Sequence, residues 1–269
     1  MMAVDSGVIE CAGLSAGYGN VQVLHDVDVT IPAGKVTALI GPNGCGKSTL
    51  LRVLGRQLGI QSGSVTLRGA AVDSFPARDF ARILSFLPQQ PSVPEGMTVR
   101  ELIAFGRYPY TGAFASLSPT DQDIIDQAAA QANVVDFLDS PAMVLSGGQR
   151  QRMWIAMTLA QQTDIMLLDE PTTYLDPAHQ LAILDLVSDL NQQGRTVVMV
   201  IHDMAHAAKY SDHVVVMKEG HVLAQGPTEQ TLTADVIAQA FGIATVMVTD
   251  PITQRQLPIA YSASGSTAL

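Results

Sequence analysis

Gly41-Pro42-Asn43-Gly44-Cys45-Gly46-Lys47-Ser48 matches the pattern G-x-x-x-x-G-K-[ST] at every fixed position. Glycines let such a segment curl until successive backbone N–H groups point inward, where they and a helix N-terminus hold phosphate oxygens. Lys47 adds a point charge, the Ser48 hydroxyl is a ligand for Mg²⁺, and Thr49 extends the phosphate-binding turn. The alternative is a Gly-rich turn with no ligand, and the full match between an apolar strand and a helical pattern argues against it. Such a site needs an acid at a second strand end. Asp169 and Glu170 follow the apolar run Ile165-Met166-Leu167-Leu168. Asp169 would bind Mg²⁺ through water, and Glu170 would polarise a water attacking the terminal phosphate. An acidic helix cap is the other reading of this pair, and the phosphate loop makes it the weaker one.

The elements that must position these groups alternate between β and α. Val8–Leu14 and Val21–Ile31 read as strands, the second with Val27, Val29 and Ile31 at period two. Val36–Ile40 has the continuous apolar character of a buried parallel strand. A helical pattern runs from Ser48 to about Leu58, and Gly63–Leu67 predicts a strand turning at Arg68-Gly69. Residues 90–162 read as a mainly helical insertion, with Pro119-Thr120-Asp121-Gln122-Asp123 as a helix start. Asp164–Asp169, Thr196–Ile201 and Val214–Met217 read as further strands, the last turning at Lys218-Glu219-Gly220. Leu181, Leu184, Val187 and Leu190 recur at helical spacing before Gly194, and Ser262–Leu269 reads as a frayed end. Alternation of this kind implies a largely parallel sheet with helices on both faces.

Composition limits the classes. The 269 residues are 47% hydrophobic but only 15% charged, and the net charge is −10. Mean hydropathy is +0.22, yet no apolar run approaches the roughly 20 residues of a spanning helix. No signal peptide is evident, and two cysteines, Cys11 and Cys45, make no disulfide framework. An acidic balance disfavours general nucleic-acid binding, which needs clustered Lys and Arg. These features predict a cytoplasmic α/β enzyme that docks onto something apolar.

Leu145-Ser146-Gly147-Gly148-Gln149 lies between the phosphate loop and Asp169-Glu170. With it the chain resembles the nucleotide-binding subunits of ATP-binding cassette (ABC) transporters, over about residues 8 to 258. The resemblance implies that Tyr18 stacks on adenine, that Gln89 is the Q-loop glutamine and a Mg²⁺ ligand, and that Thr173-Tyr174-Leu175-Asp176 is the D-loop. It implies that His202 is the switch histidine holding the attacked phosphate, the water and Glu170 in register. The fold it implies is a P-loop NTPase (RecA-like) core with an antiparallel β subdomain and an inserted α-helical subdomain. The core and β subdomain would occupy 1–89 and 163–235, the helical signature subdomain 90–162, and a C-terminal extension 236–269. Two copies would sandwich two ATP molecules head to tail, with Ser146, Gly147, Gly148, Gln149 and Asp176 of one copy facing the phosphates bound by the other. The partners implied are two permease subunits and, indirectly, an extracytoplasmic substrate-binding protein, with the chain peripheral to the cytoplasmic face of the membrane and bound to no nucleic acid.

Finer likenesses touch the cargo. Pro88-Gln89-Gln90, Glu95–Leu102, Gly106–Tyr110, Pro171–Asp176 with His179-Gln180, and Phe241-Gly242 with Asp250-Pro251 look like the ATPases of ferric-siderophore importers, with cobalamin and haem importer ATPases as near relatives. Met97, Val99, Leu102, Phe105 and Tyr108 are candidates to line a groove for the permease, or equally to form the helical subdomain's own core. The rivals are an ABC exporter and a soluble ABC ATPase acting on DNA or ribosomes. A single cassette, the short span from Lys47 to Leu145 and the acidic balance favour the importer. His202 and His206 stand at i and i+4, a zinc spacing, but with no third ligand nearby His206 reads as a helix-face residue. Trp154, the only tryptophan, reads as packing. Cys45 sits where a helix N-terminus and Lys47 lower a thiol's pKa, which raises a redox switch against the blander reading of a small tolerated residue.

Overall fold

The computed structural model describes residues 7–89, 91–111, 116–173 and 175–263. Gln90 of the importer-like run and Tyr174 of the D-loop lie outside the described residues, as do residues 264–269. The chain divides into two units, Met1–Ser74 with Thr196–Leu269, and Phe75–Arg195.

The first unit begins with β1 (Gly7–Tyr18) and β2 (Val21–Pro32), an antiparallel pair. Their period-two residues Ile9, Val27, Val29 and Ile31 are buried, as alternation predicts. β3 (Val36–Ile40) is buried at all five positions. The phosphate loop follows it and leads into α1 (Lys47–Leu54). This helix ends at Leu54, four residues before the apolar pattern predicts, because Arg56 takes a left-handed conformation and turns the chain. β4 (Ser62–Leu67) pairs with β1 and, through Arg68 and Gly69 at φ 52° and 79°, with β5 (Ala70–Ala71). Two successive left-handed residues match the twist of a tight hairpin. The order β2-β1-β4-β5 makes this sheet wholly antiparallel.

The second unit holds α2 (Ala77–Ile83), β6 (Leu84–Leu87), α3 (Val99–Ala104), α4 (Tyr108–Thr111), α5 (Pro119–Gln131), α6 (Gly147–Ala160), β7 (Ile165–Leu168) and α7 (Pro177–Gln192). Three of these helices start at a reciprocal cap, Thr98 with Glu101, Ser118 with Asp121, and Ser146 with Gln149. Each pair satisfies two backbone N–H groups that the helix leaves open. Val99, Leu102, Ile103, Ile125 and Trp154 are buried. Val99 and Leu102 are therefore this unit's own core and line no groove, whereas Tyr108 is 45% exposed and its ring lies 4.9 Å from that of Phe105. On α7, Leu184, Val187 and Leu190 face inward with Ile183, and Leu181 faces out.

The chain returns to the first unit with β8 (Thr196–Val200), α8 (Met204–Tyr210), β9 (His213–Lys218), β10 (His221–Pro227), α9 (Thr228–Thr231), α10 (Ala234–Phe241), β11 (Ile243–Thr249) and β12 (Gln256–Ala263). β3 pairs in parallel with β8 on one side and β9 on the other, and β10 adds an antiparallel edge. β11 and β12 form a hairpin, so Ser262 and Ala263 are paired residues rather than frayed ones. The result is the implied α/β fold, with a parallel core, a separate antiparallel sheet and a helical region. Among the described residues no helix is long and apolar enough to cross a membrane.

Candidate nucleotide site

The parallel register of β3 positions the phosphate loop. Leu39 pairs with Val200 and Val215, so the loop at Gly41 and the segment at His202 leave the same end of neighbouring strands. The loop's glycines are steric requirements. A Cβ on Gly41 would stand 2.2 Å from the Met217 carbonyl oxygen, and Gly46, at φ 105°, leaves 2.8 Å to the Leu24 side chain. No side chain caps α1 at Gly46, which suits an N-terminus whose N–H groups serve an anion. Lys47 is buried, and its Nζ donates to the carbonyl oxygens of Gly41 at 2.8 Å and Pro42 at 2.9 Å. Those bonds hold the ammonium against the loop, where a phosphate oxygen would compete for it.

Other predicted residues of the first unit fall into place around the loop. Tyr18 is 44% exposed at the end of β1, and its hydroxyl accepts from Arg52 on α1 at 3.1 Å. His202 is exposed just after β8, and the next residue, Asp203, caps α8 by accepting from the His206 N–H at 2.9 Å. His206 packs edge-on against Tyr210, as a helix-face residue. Cys45 is buried with its Sγ 3.9 Å from Lys47 Nζ. Burial pushes the Cys45 thiol up, and Lys47 only partly offsets this. That direction favours the blander reading of Cys45, as a small residue tolerated in the loop, over the redox switch. The buried Cys11 thiol is pushed to about 12.

The paired acids belong to the second unit. Leu87 at the end of β6 pairs with Leu168 at the end of β7, and the Asp169 N–H donates to the Leu87 carbonyl at 2.9 Å. That register brings the two loops that follow side by side. Gln89 Nε2 donates to Glu170 Oε2 at 2.6 Å, and the Thr173 hydroxyl donates to the same oxygen at 3.0 Å. Glu170 has φ 53°, a conformation that a non-glycine side chain adopts at a cost of about 1–3 kcal/mol. The held carboxylate and the buried Asp169 stand in adjacent positions. The sequence reading named Thr173 only as part of the D-loop and not as a partner of Glu170, although a hydroxyl three residues beyond an acid in a turn is a usable signal.

The signature segment is in the same unit. Ser146 accepts from the Gln149 N–H, and a Cβ on Gly147 would meet nothing. A Cβ on Gly148 would stand 3.0 Å from the His179 ring. His179 Nδ1 lies 2.6 Å from Asp176 Oδ2, and the His179 N–H donates to Asp176 Oδ1 at 2.9 Å. Asp176 thus caps α7, and those bonds hold its carboxyl below the usual range. His179 is the residue that joins the two motifs, and the sequence offered it only as part of an importer-like run.

The donors fit a hard cation. Ser48 in the first unit, and Asp169 and Gln89 in the second, each carry an oxygen donor of the kind Mg²⁺ takes. No cluster of three His, Cys, Asp or Glu able to hold a metal occurs among the described residues.

Comparison with known proteins extends the geometry. Residues 24–173 match the ABC transporter family. The chain is 45% identical over 249 residues to the iron(3+)-hydroxamate import ATP-binding protein FhuC of Bacillus subtilis, covering 92% of this chain and 93% of that one. It is 42% identical over 240 residues to the ferric enterobactin transport ATP-binding protein FepC of Escherichia coli, covering 89% of each. A solved ABC transporter described as of metal-chelate type, in an inward-facing conformation, superposes with a TM-score of 0.81 at 25% identity, over 94% of this chain and 97% of that one. With the phosphate loop, the signature segment and the paired acids all present, the chain belongs to the ATP-binding subunits of ABC transporters.

Proposed function

We propose that the chain hydrolyses ATP to drive import of an iron(III)–siderophore complex across the cytoplasmic membrane. The observation that carries this reading is its similarity, along nearly the whole length, to ATPases named for ferric hydroxamate and ferric enterobactin. Those two cargoes differ in chelating chemistry, so what they share is the class. The chain would sit on the cytoplasmic face beneath two permease subunits and an extracytoplasmic binding protein, with Phe105 and Tyr108 in the docking surface.

Each site residue then has a task. Tyr18 stacks on adenine. Residues Gly41 to Thr49 wrap the phosphates, and Lys47 neutralises charge on the terminal one. Ser48, Gln89 and Asp169 would hold Mg²⁺, which supplies charge neutralisation on the phosphate oxygens. Glu170 orients the attacking water while Gln89 and Thr173 fix its carboxylate, and His202 contacts the terminal phosphate. Catalysis is positioning and charge neutralisation. Ser146, Gly147, Gly148, Gln149 and Asp176 of a second copy close the site head to tail, so hydrolysis opens the pair.

Uptake of radiolabelled ferric siderophore by cells lacking the gene tests this. Wild type should restore iron uptake and Glu170→Gln should not. Labelled cobalamin and haem run in parallel, and loss of either with normal iron uptake would move the cargo to that class.

A further inference from the structure

Arg107 is buried, yet it sits between the half-buried Phe105 with the exposed Tyr108 and the carbonyl end of α6. Its Nε donates to Asp121 Oδ1 at 2.8 Å, and its Nη1 donates to the Ala160 carbonyl at 2.8 Å and to Gln162 Oε1 at 3.0 Å. Its guanidinium lies 4.0 Å over the Tyr110 ring, and the Tyr110 hydroxyl donates to the Gln161 carbonyl at 2.9 Å. The other side of the segment is gripped as well. Arg78 donates to the carbonyls of Pro109 and Tyr110, and Arg82 donates to that of Pro109. Beneath it, a Cβ on Gly106 would stand 2.3 Å from the Met157 carbonyl oxygen, so the turn rests backbone to backbone on α6.

A buried ion pair is a costly way to fill space, and apolar side chains of the same volume often fold as well or better. What a guanidinium adds is direction, because its planar fork fixes several acceptors at once. Here the acceptors are α5 and the last turn of α6, whose carbonyl end also favours a cation. α6 has 14 residues, about 21 Å of rigid helix, and its other end carries Ser146, Gly147 and Gly148.

We infer that Arg107 is a positioning residue that makes residues 105–110 and α6 one body, so that displacement of Phe105 and Tyr108 by a membrane partner moves the signature segment. This rests on the proposed role as the ATPase of a permease complex. The partners of Arg107 are Asp121, Ala160, Gln162 and Tyr110, none of them a residue assigned to the nucleotide site; its loss should uncouple the two ends and leave the isolated chain's chemistry intact.

The test uses Arg107→Lys, which keeps the charge beside Asp121 and loses the fork. In the isolated chain, kcat and KM for ATP should stay within twofold of wild type. In cells, with equal amounts in the membrane, uptake of labelled ferric hydroxamate should fall at least tenfold, and stimulation of ATP hydrolysis by the permease should disappear. Uptake and stimulation within twofold of wild type would overturn the inference, as would a basal kcat that falls by the same factor as uptake. If Arg107→Lys does not fold, Gln162→Leu, which removes one acceptor at the helix end, should show the same split between basal and stimulated rates. If wild type itself fails to restore uptake, the import reading fails, and the ratio of membrane-stimulated to basal ATP hydrolysis still decides the clamp.

Discussion

Cys45 shows how environment decides the chemistry of a single residue. Its neighbours in sequence, a helix N-terminus and Lys47, favour a thiolate, but burial disfavours the charged form and prevails. Its thiol therefore ionises above 9.0, the ordinary value. The fraction present as thiolate at neutral pH is small, and alkylation by iodoacetamide should accelerate about tenfold per pH unit up to at least pH 9. Mass spectrometry of Cys45 labelling between pH 7 and 10 measures this, and a rate that levels off below pH 8.5 would show a reactive thiol after all. Glu170 is the opposite case. Its proposed role follows from the sequence, because an acid after four apolar residues in a chain with a phosphate loop has few other uses. The bonds from Gln89 and Thr173 were not legible, because they come from the pairing of β6 with β7 rather than from spacing along the chain.

At the scale of elements, caps do much of the specifying. The Ser118–Asp121 box starts α5, and Asp121 also receives Arg107. The Ser118 hydroxyl first, then Arg107, hold the Asp121 carboxyl below its ordinary 3.8. A carboxyl lowered on folding contributes stability above its unfolded pKa and loses it as pH falls through the folded value. Ser118→Ala should therefore cost about 0.5–2 kcal/mol at pH 6, with basal ATP hydrolysis unchanged. The gap from wild type should narrow as pH falls below 3.8, read from urea midpoints at each pH; a gap that widens on acidification would contradict this account. The start of α5 was readable from Pro119 and the acids after it, and β3 from its apolar run. The end of α1 was not, because apolar residues continue beyond Gly55 while Arg56 turns the backbone. Nor could periodicity say that Val99 and Leu102 face inward while Tyr108 faces out, since that depends on α3, α5 and α6 packing together.

For the whole molecule, charge sets the terms of pairing. Each copy carries −10, so a head-to-tail pair closed around ATP brings two like-charged bodies together, and only local contacts at the nucleotide draw them in. Their mutual repulsion is long-ranged at low salt, because the Debye length is about 30 Å at 0.01 M ionic strength and about 10 Å at 0.1 M. The contacts of the proposed interface, backbone N–H groups on phosphate oxygens and the Ser146 and Asp176 side chains, act within hydrogen-bond distance and are screened far less. The two dependences separate cleanly in a variant that binds ATP and does not turn it over. With Glu170→Gln at saturating Mg-ATP, dimerisation should strengthen as KCl rises from about 10 to 100 mM, as the repulsion is screened over that range; sedimentation equilibrium gives the dissociation constant at each salt. If dimerisation weakens over that range, opposite charges must meet across the interface and local complementarity outweighs net charge. No dimer at any salt would mean that the ATP-bridged pair needs its membrane partner to form, and would place the energy of closure in the permease contacts that Arg107 transmits.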